Sequence, residues 1–223
     1  MPGNLLGYLN FTSLIILLVA AGLGVFLFGR LSASLRVLVI NIWITFGLGL
    51  AATLLWLQSF TNLPILHIYT VAEFCLLGMF FALLAPPKDS TRNVITIVVV
   101  AGAVLMLLNT LFLQEILQFN SNARTLEAIL LAGMGVYYLF LLSGPNSHLE
   151  ASEGKVFSVI NAGIILYFSA SLLIFLTSAF TGSMSKEMSR NIWVIHALLN
   201  ILYNVLLCAG LIAFWKTSLT SSD

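Results

Sequence analysis

Apolar residues run along this chain in seven long blocks, and polar residues gather in the short gaps between them. The blocks fall at about 8–28, 35–57, 64–84, 93–113, 124–143, 156–178 and 191–215. Each approaches the roughly 20 residues that an α-helix, rising ~1.5 Å per residue, needs to cross the hydrocarbon core of a bilayer. The pattern therefore predicts an all-α fold: one domain over residues 1–223, built as a polytopic transmembrane bundle of seven helices. The punctuation agrees. Gly29-Arg30 closes the first block, and Asn62-Leu63-Pro64 opens the third with a cap residue and a proline that a first turn tolerates. Pro86-Pro87-Lys88-Asp89 separates the third from the fourth, Ser143-Gly144-Pro145-Asn146 ends the fifth, and Thr181-Gly182-Ser183 precedes the seventh. The stretch Gln114–Asn122 is the least marked boundary. None of the prolines at 2, 64, 86, 87 and 145 lies in mid-span, so no broken helix of the transporter type is indicated.

Composition turns this pattern into a statement about solvent. Hydrophobic residues make up 60% of the chain and charged residues 8%, with a mean hydropathy of +1.07. A soluble domain carries about 25% charged residues, so the solvent for most of this chain is lipid. A net charge of +1 implies no nucleic-acid partner and no acidic substrate. No basic side chain precedes Phe11–Phe28, and Arg30 and Arg36 follow it, the reverse of a cleaved secretory signal. We read it as a retained first span.

Alternating the seven spans places Arg30, Arg36, Lys88, Arg92, Lys155 and Lys216 on one side and Arg124, Lys186 and Arg190 on the other. Basic residues accumulate in cytoplasmic loops, so six against three predicts the N-terminus outside and the C-terminus in the cytoplasm. The expected location is the bacterial cytoplasmic (inner) membrane. The loops are short, so function belongs to the bundle, its loops or a partner.

Catalytic motifs are absent: the chain has no HExxH, GxSxG, P-loop or DxD, and no lysine inside the seventh span to hold a retinal. Cys75 and Cys208 lie within apolar runs and read as a pair of buried thiols. The spacings Ala20-x3-Gly24 and Gly47-x3-Ala51 suit close helix packing. No metal site and no cofactor is expected.

Two intramembrane polar sites stand out. Glu73 lies about nine residues into the third span, roughly 13 Å deep at ~1.5 Å per residue. An acid at that depth costs about 3 kcal/mol to insert, so it should face the bundle and find a partner. Tyr69 and Thr70, at i−4 and i−3, lie on its flank. In the seventh span Trp193, His196, Asn200, Tyr203 and Asn204 fall within an arc of about 100°. These eight residues are the candidate ligand or proton site, with Asn200 or His196 as the expected neighbour of Glu73. Interhelical hydrogen bonding alone is the competing explanation for both. Glu127, three residues after Arg124, reads as half of a local interfacial ion pair, with His67 also near the outer interface. Asn41, Thr45, Asn109, Ser158 and Asn161 read as packing glue, and a zinc site on His67, Glu73 and His196 as a remote alternative. His148 reads as a residue of a polar cytoplasmic loop, and Glu150, Glu153, Lys186 and Glu187 read as solvated loop charges.

The pieces IYTVAEFCLLGMFF, RTLEAILLAGMGVYYLFLL and RNIWVIHALLNILYNVLLCAG, in the third, fifth and seventh spans, resemble a group of small bacterial seven-helix integral membrane proteins with no assigned activity. The resemblance implies seven helices and draws attention to Glu73 and Asn200.

Function is then expected to be that of a non-enzymatic membrane module: a sensor or binding protein, or a signalling or complex subunit. Its partners would be the bilayer and another membrane protein or a small apolar ligand. The alternatives are an intramembrane enzyme of the lipid-hydrolase type and a small proton-coupled transporter, both using Glu73 and His196.

Overall fold

The structure, a computed structural model, describes residues 5–86, 90–143, 151–178 and 185–220. Seven α-helices follow one another: α1 Leu5–Leu27, α2 Ala33–Leu57, α3 Leu63–Leu84, α4 Ser90–Leu108, α5 Ser121–Ser143, α6 Ala151–Ser178 and α7 Lys186–Thr220. All seven segments are long and apolar enough to cross a membrane. A 3₁₀ turn, Phe28–Arg30, ends α1, and a π turn, Asn109–Leu113, extends α4. Apolar blocks place the helices to within a few residues, but they understate the polar ends. α7 begins at Lys186 and runs to Thr220, and α6 takes in Glu153, so Glu153, Lys186 and Glu187 are helical instead of loop residues. The reason is that Lys, Glu, Met and Arg propagate a helix nearly as readily as leucine does. His148 and Glu150 lie outside the described residues.

Neighbouring helices form a closed ring in the order α1, α2, α3, α5, α6, α7 and back to α1. α4 packs outside it, against α3 and α5. We call the end where α1 begins the upper end; α3, α5 and α7 also begin there. The lower half of the ring is filled by side chains. Leu35, Leu38 and Ile42 of α2, Phe80 and Phe81 of α3, and Ile160 and Ile164 of α6 are all 1% exposed or less. Tyr138 of α5 stacks on Phe81, ring centroids 5.3 Å apart, and donates its hydroxyl proton to the Phe81 carbonyl at 2.6 Å. A buried phenol thus satisfies its polar tip while adding its ring to the core.

Small residues set how closely these helices approach. Ala20 is wholly buried, and a Cβ built on Gly24 would lie 2.7 Å from Val39, so Ala20-x3-Gly24 is a true α1–α2 contact. Gly47-x3-Ala51 is not. Gly47 is exposed with nothing within 4 Å of its Cβ position, since this stripe of α2 faces away from its neighbours. Cys75 and Cys208 are free and half-buried rather than buried, 133 residues apart in sequence on different helices.

Candidate functional site

Beneath the upper end, α5 carries a cluster that joins three elements. The Arg124 Nη1 donates to Glu73 Oε2 of α3 at 2.9 Å and to Glu127 Oε2 at 2.6 Å. Arg124 Nη2 donates to the Tyr167 hydroxyl of α6 at 3.3 Å, and that hydroxyl lies 3.3 Å from His196 Nε2 of α7. Tyr69 donates to the other Glu73 oxygen at 2.7 Å. The guanidinium also sits over two rings, 5.1 Å from the Tyr69 centroid and 4.9 Å from that of Phe175. Glu73, Arg124 and Glu127 are 1%, 6% and 0% exposed, so this ion-pair cluster is shielded from solvent. Removing the guanidinium from such a buried cluster costs about 3–5 kcal/mol, because the carboxylates are left unpaired in a low dielectric.

A charged side chain in the first turn of a membrane helix would ordinarily sit at the interface. Arg124 does not, because the start of α5 is sunk beneath a folded connection. The π turn brings Asn109 to the end of α4, where its Nδ2 donates to Gln114 Oε1 at 3.0 Å and to Asn120 Oδ1 at 3.2 Å. Gln114 Nε2 donates in turn to the Phe119 carbonyl at 3.0 Å and to Ser121 Oγ at 2.8 Å. Asn122 returns a bond to Asn109 Oδ1 at 3.1 Å. This amide knot satisfies backbone and side-chain groups that a helix start leaves open. His67 ties the connection to α3, its Nδ1 3.0 Å from Thr110 Oγ1 and its Nε2 3.1 Å from the Gln118 carbonyl. Because a carbonyl only accepts, Nε2 carries the proton.

The structure corrects several expectations. The partner of Glu73 is Arg124, with Tyr69, and not Asn200 or His196; the latter reaches it only through Tyr167 and Arg124. The Arg124–Glu127 pair is buried and shared with Glu73, and not a local interfacial pair. Thr70 bonds back to the Leu66 carbonyl at 2.7 Å and does not serve Glu73. His67 is buried at 3% exposure instead of lying at the interface, and Asn109 is the hub of a network instead of an isolated notch. His67, Glu73 and His196 do not converge: no three His, Cys, Asp or Glu side chains among the described residues gather as a metal site.

The polar stripe of α7 does face inward, as its spacing predicts, but it divides between two neighbours. Asn200 accepts a short hydrogen bond from Ser13 of α1, and Asn204 donates to Ser13 at 2.9 Å and to Asn200 at 3.1 Å. Tyr203 stacks on Tyr167, centroids 4.9 Å apart, while its hydroxyl finds no partner. Trp193 packs edge-on to Phe119 at 5.0 Å. Asn161 donates to the Gly135 carbonyl at 2.9 Å, the packing role its place in the sixth block suggests.

Above the cluster lies a cavity of about 500 Å³ inside the ring. Arg124, Tyr69, Tyr167, His196, Ser13 and Asn200 contribute one part of its polar lining, and Asn10, Thr45, Thr53 and Asn62 the rest. Leucines of α1, α2 and α3, with Trp56, Phe119 and Trp193, supply apolar walls. Its volume falls within the ~300–1,000 Å³ usual for small-molecule pockets, which likewise combine apolar walls with a few convergent polar groups. All of its lining residues lie in the upper half; below them the ring is filled. Glu73 and Glu127 do not line it. Arg124 stands between them and the space.

Sequence reasoning passed over Tyr167, Ser13 and Phe119 and undervalued Arg124. The available signal was an arginine and a glutamate three residues apart at the start of a span, opposite a second buried acid.

No family model, no curated protein and no solved structure matches this chain.

Proposed function

We propose that the chain is a non-enzymatic binding module of the bacterial cytoplasmic membrane, with its N-terminus outside, that receives a small, largely apolar ligand from the outer side. One observation carries this reading: a cavity of about 500 Å³ with a polar floor and apolar walls, seated in the upper half of a helix ring whose lower half is filled. A space with one end suits reception of a ligand, whereas conduction needs a path to both sides. The floor is poor in chemistry. Ser13 is engaged by Asn200 and Asn204 and has no base beside it, and His196 meets a tyrosine hydroxyl. A catalytic reading requires a nucleophile, a base and a stabiliser of developing charge in mutual reach. The outward N-terminus rests on the six-to-three asymmetry of Lys and Arg.

Native mass spectrometry of the full chain, released from mild detergent, tests the reading. The wild type is expected to retain a small molecule that Ala52→Trp, at a half-buried position in the cavity wall, excludes with its far-UV circular dichroism unchanged. Equal retention by both would refute it.

A second reading, a proton-coupled carrier, is favoured by one feature: two carboxyls, Glu73 and Glu127, meet a single guanidinium. It requires solute flux in proteoliposomes driven by a pH gradient and lost in Glu73→Gln.

A further inference from the structure

We infer that the cavity selects an uncharged amphiphile whose polar head accepts hydrogen bonds, and that the buried carboxyls behind Arg124 impose this choice of charge. The inference rests on the reading of the cavity as a ligand site and names the ligand class.

It follows from what the cavity floor offers. Arginine has five N–H donors and no acceptor. Three are committed, to Glu73, Glu127 and Tyr167, which leaves the Nε–H and one Nη2–H without a protein acceptor on a residue that lines the cavity. These donors can bond an acceptor that enters the cavity, and such a charge-assisted bond is stronger than a neutral one. The floor therefore recognises a carbonyl, amide or hydroxyl oxygen. The apolar walls, among them Leu14, Leu17, Leu48 and Leu66, take a hydrocarbon tail.

Charge decides between heads that share that acceptor. A lone buried arginine would attract a carboxylate or phosphate in bidentate fashion. Arg124 is not alone, since two carboxyls that do not line the cavity already bind its guanidinium. With both ionised the cluster carries one net negative charge; with one protonated it carries none. In neither state does it present the net positive charge that would offset the desolvation of an anionic head. A cationic head fares no better. The carboxyls are 0–1% exposed and lie behind the guanidinium, so an ammonium group entering the cavity meets Arg124 first. The Tyr69 ring, the natural seat for a cation, is already covered by that guanidinium at 5.1 Å.

Three probes with one tail and different heads test this: octanamide, octanoate and octyltrimethylammonium, titrated into the full chain in zwitterionic nanodiscs with tryptophan fluorescence as readout. Octanamide is expected to bind at least about tenfold more tightly than either charged probe. In the double variant Glu73→Gln/Glu127→Gln, which leaves Arg124 with the net positive charge that both wild-type states lack, octanamide should still bind and its gap over octanoate should narrow by roughly tenfold. Tighter binding of octanoate or of the ammonium probe by the wild type overturns the charge inference and leaves the ligand site standing. An unchanged gap in that double variant overturns the role given to the carboxyls. Failure of all three probes to bind overturns the ligand site itself.

Discussion

Arg124 carries the site, and the reason is stoichiometric. Among the described residues it is the one basic group paired with the two buried acids, so its loss strands both Glu73 and Glu127, while loss of either acid leaves a one-to-one pair. Arg124→Ala should therefore destabilise the protein by about 3–5 kcal/mol, and Glu73→Gln by distinctly less. Tyr69→Phe removes one donor from a carboxylate and should cost about 1.5–3 kcal/mol. Unfolding in SDS, followed by far-UV circular dichroism, ranks the three variants. A Glu73→Gln variant as unstable as Arg124→Ala would mean that Glu127 does not share the charge. Glu73 itself was legible in the sequence, because an acid in mid-span must find a partner. Its partner was not legible. Arg124 stands at the edge of an apolar block, and only the folded 114–120 connection, which buries Asn120 completely, shows that this edge is sunk into the protein.

Elements tell the same story of pattern and exception. Blocks of apolar residues with clear breaks locate all seven helices, since length and hydropathy mark a segment able to cross lipid. Which face each helix turns inward was legible only where polar residues marked it, as in α7. Elsewhere outward-facing and core-facing positions are both apolar, and glycine spacing alone misleads, as Gly47 does. The π turn of α4 was invisible because no proline marks it. Close packing of α4 against the ring supplies a paired test. A Cβ on Gly102 would lie 2.7 Å from the ring of Phe74, which is wholly buried and unable to swing aside. Gly102→Ala should cost about 1–3 kcal/mol in SDS unfolding. Gly133→Ala on α5, with nothing within 4 Å of its Cβ position, should be neutral or stabilising. If the two behave alike, α4 does not pack as described.

At the scale of the whole molecule, six helices enclose a space that is open in its upper half and filled below, with α4 as an outer buttress. Such a ring could not be read from the chain, because ring order depends on which inward faces meet, and α4 breaks the sequential order. The central claim is that the cavity is entered from the upper end alone. Thiol labelling tests it most directly, in a Cys75→Ala, Cys208→Ala background that removes both native cysteines. Ala197→Cys lies in the cavity wall and Ala21→Cys in the fully buried core below it. A membrane-impermeant maleimide applied to intact cells should label Ala197→Cys, the same reagent applied to inside-out vesicles should not, and Ala21→Cys should stay unlabelled from both sides. Labelling of Ala197→Cys from both sides, or of Ala21→Cys from either, would contradict a one-ended cavity and reveal a path through the ring.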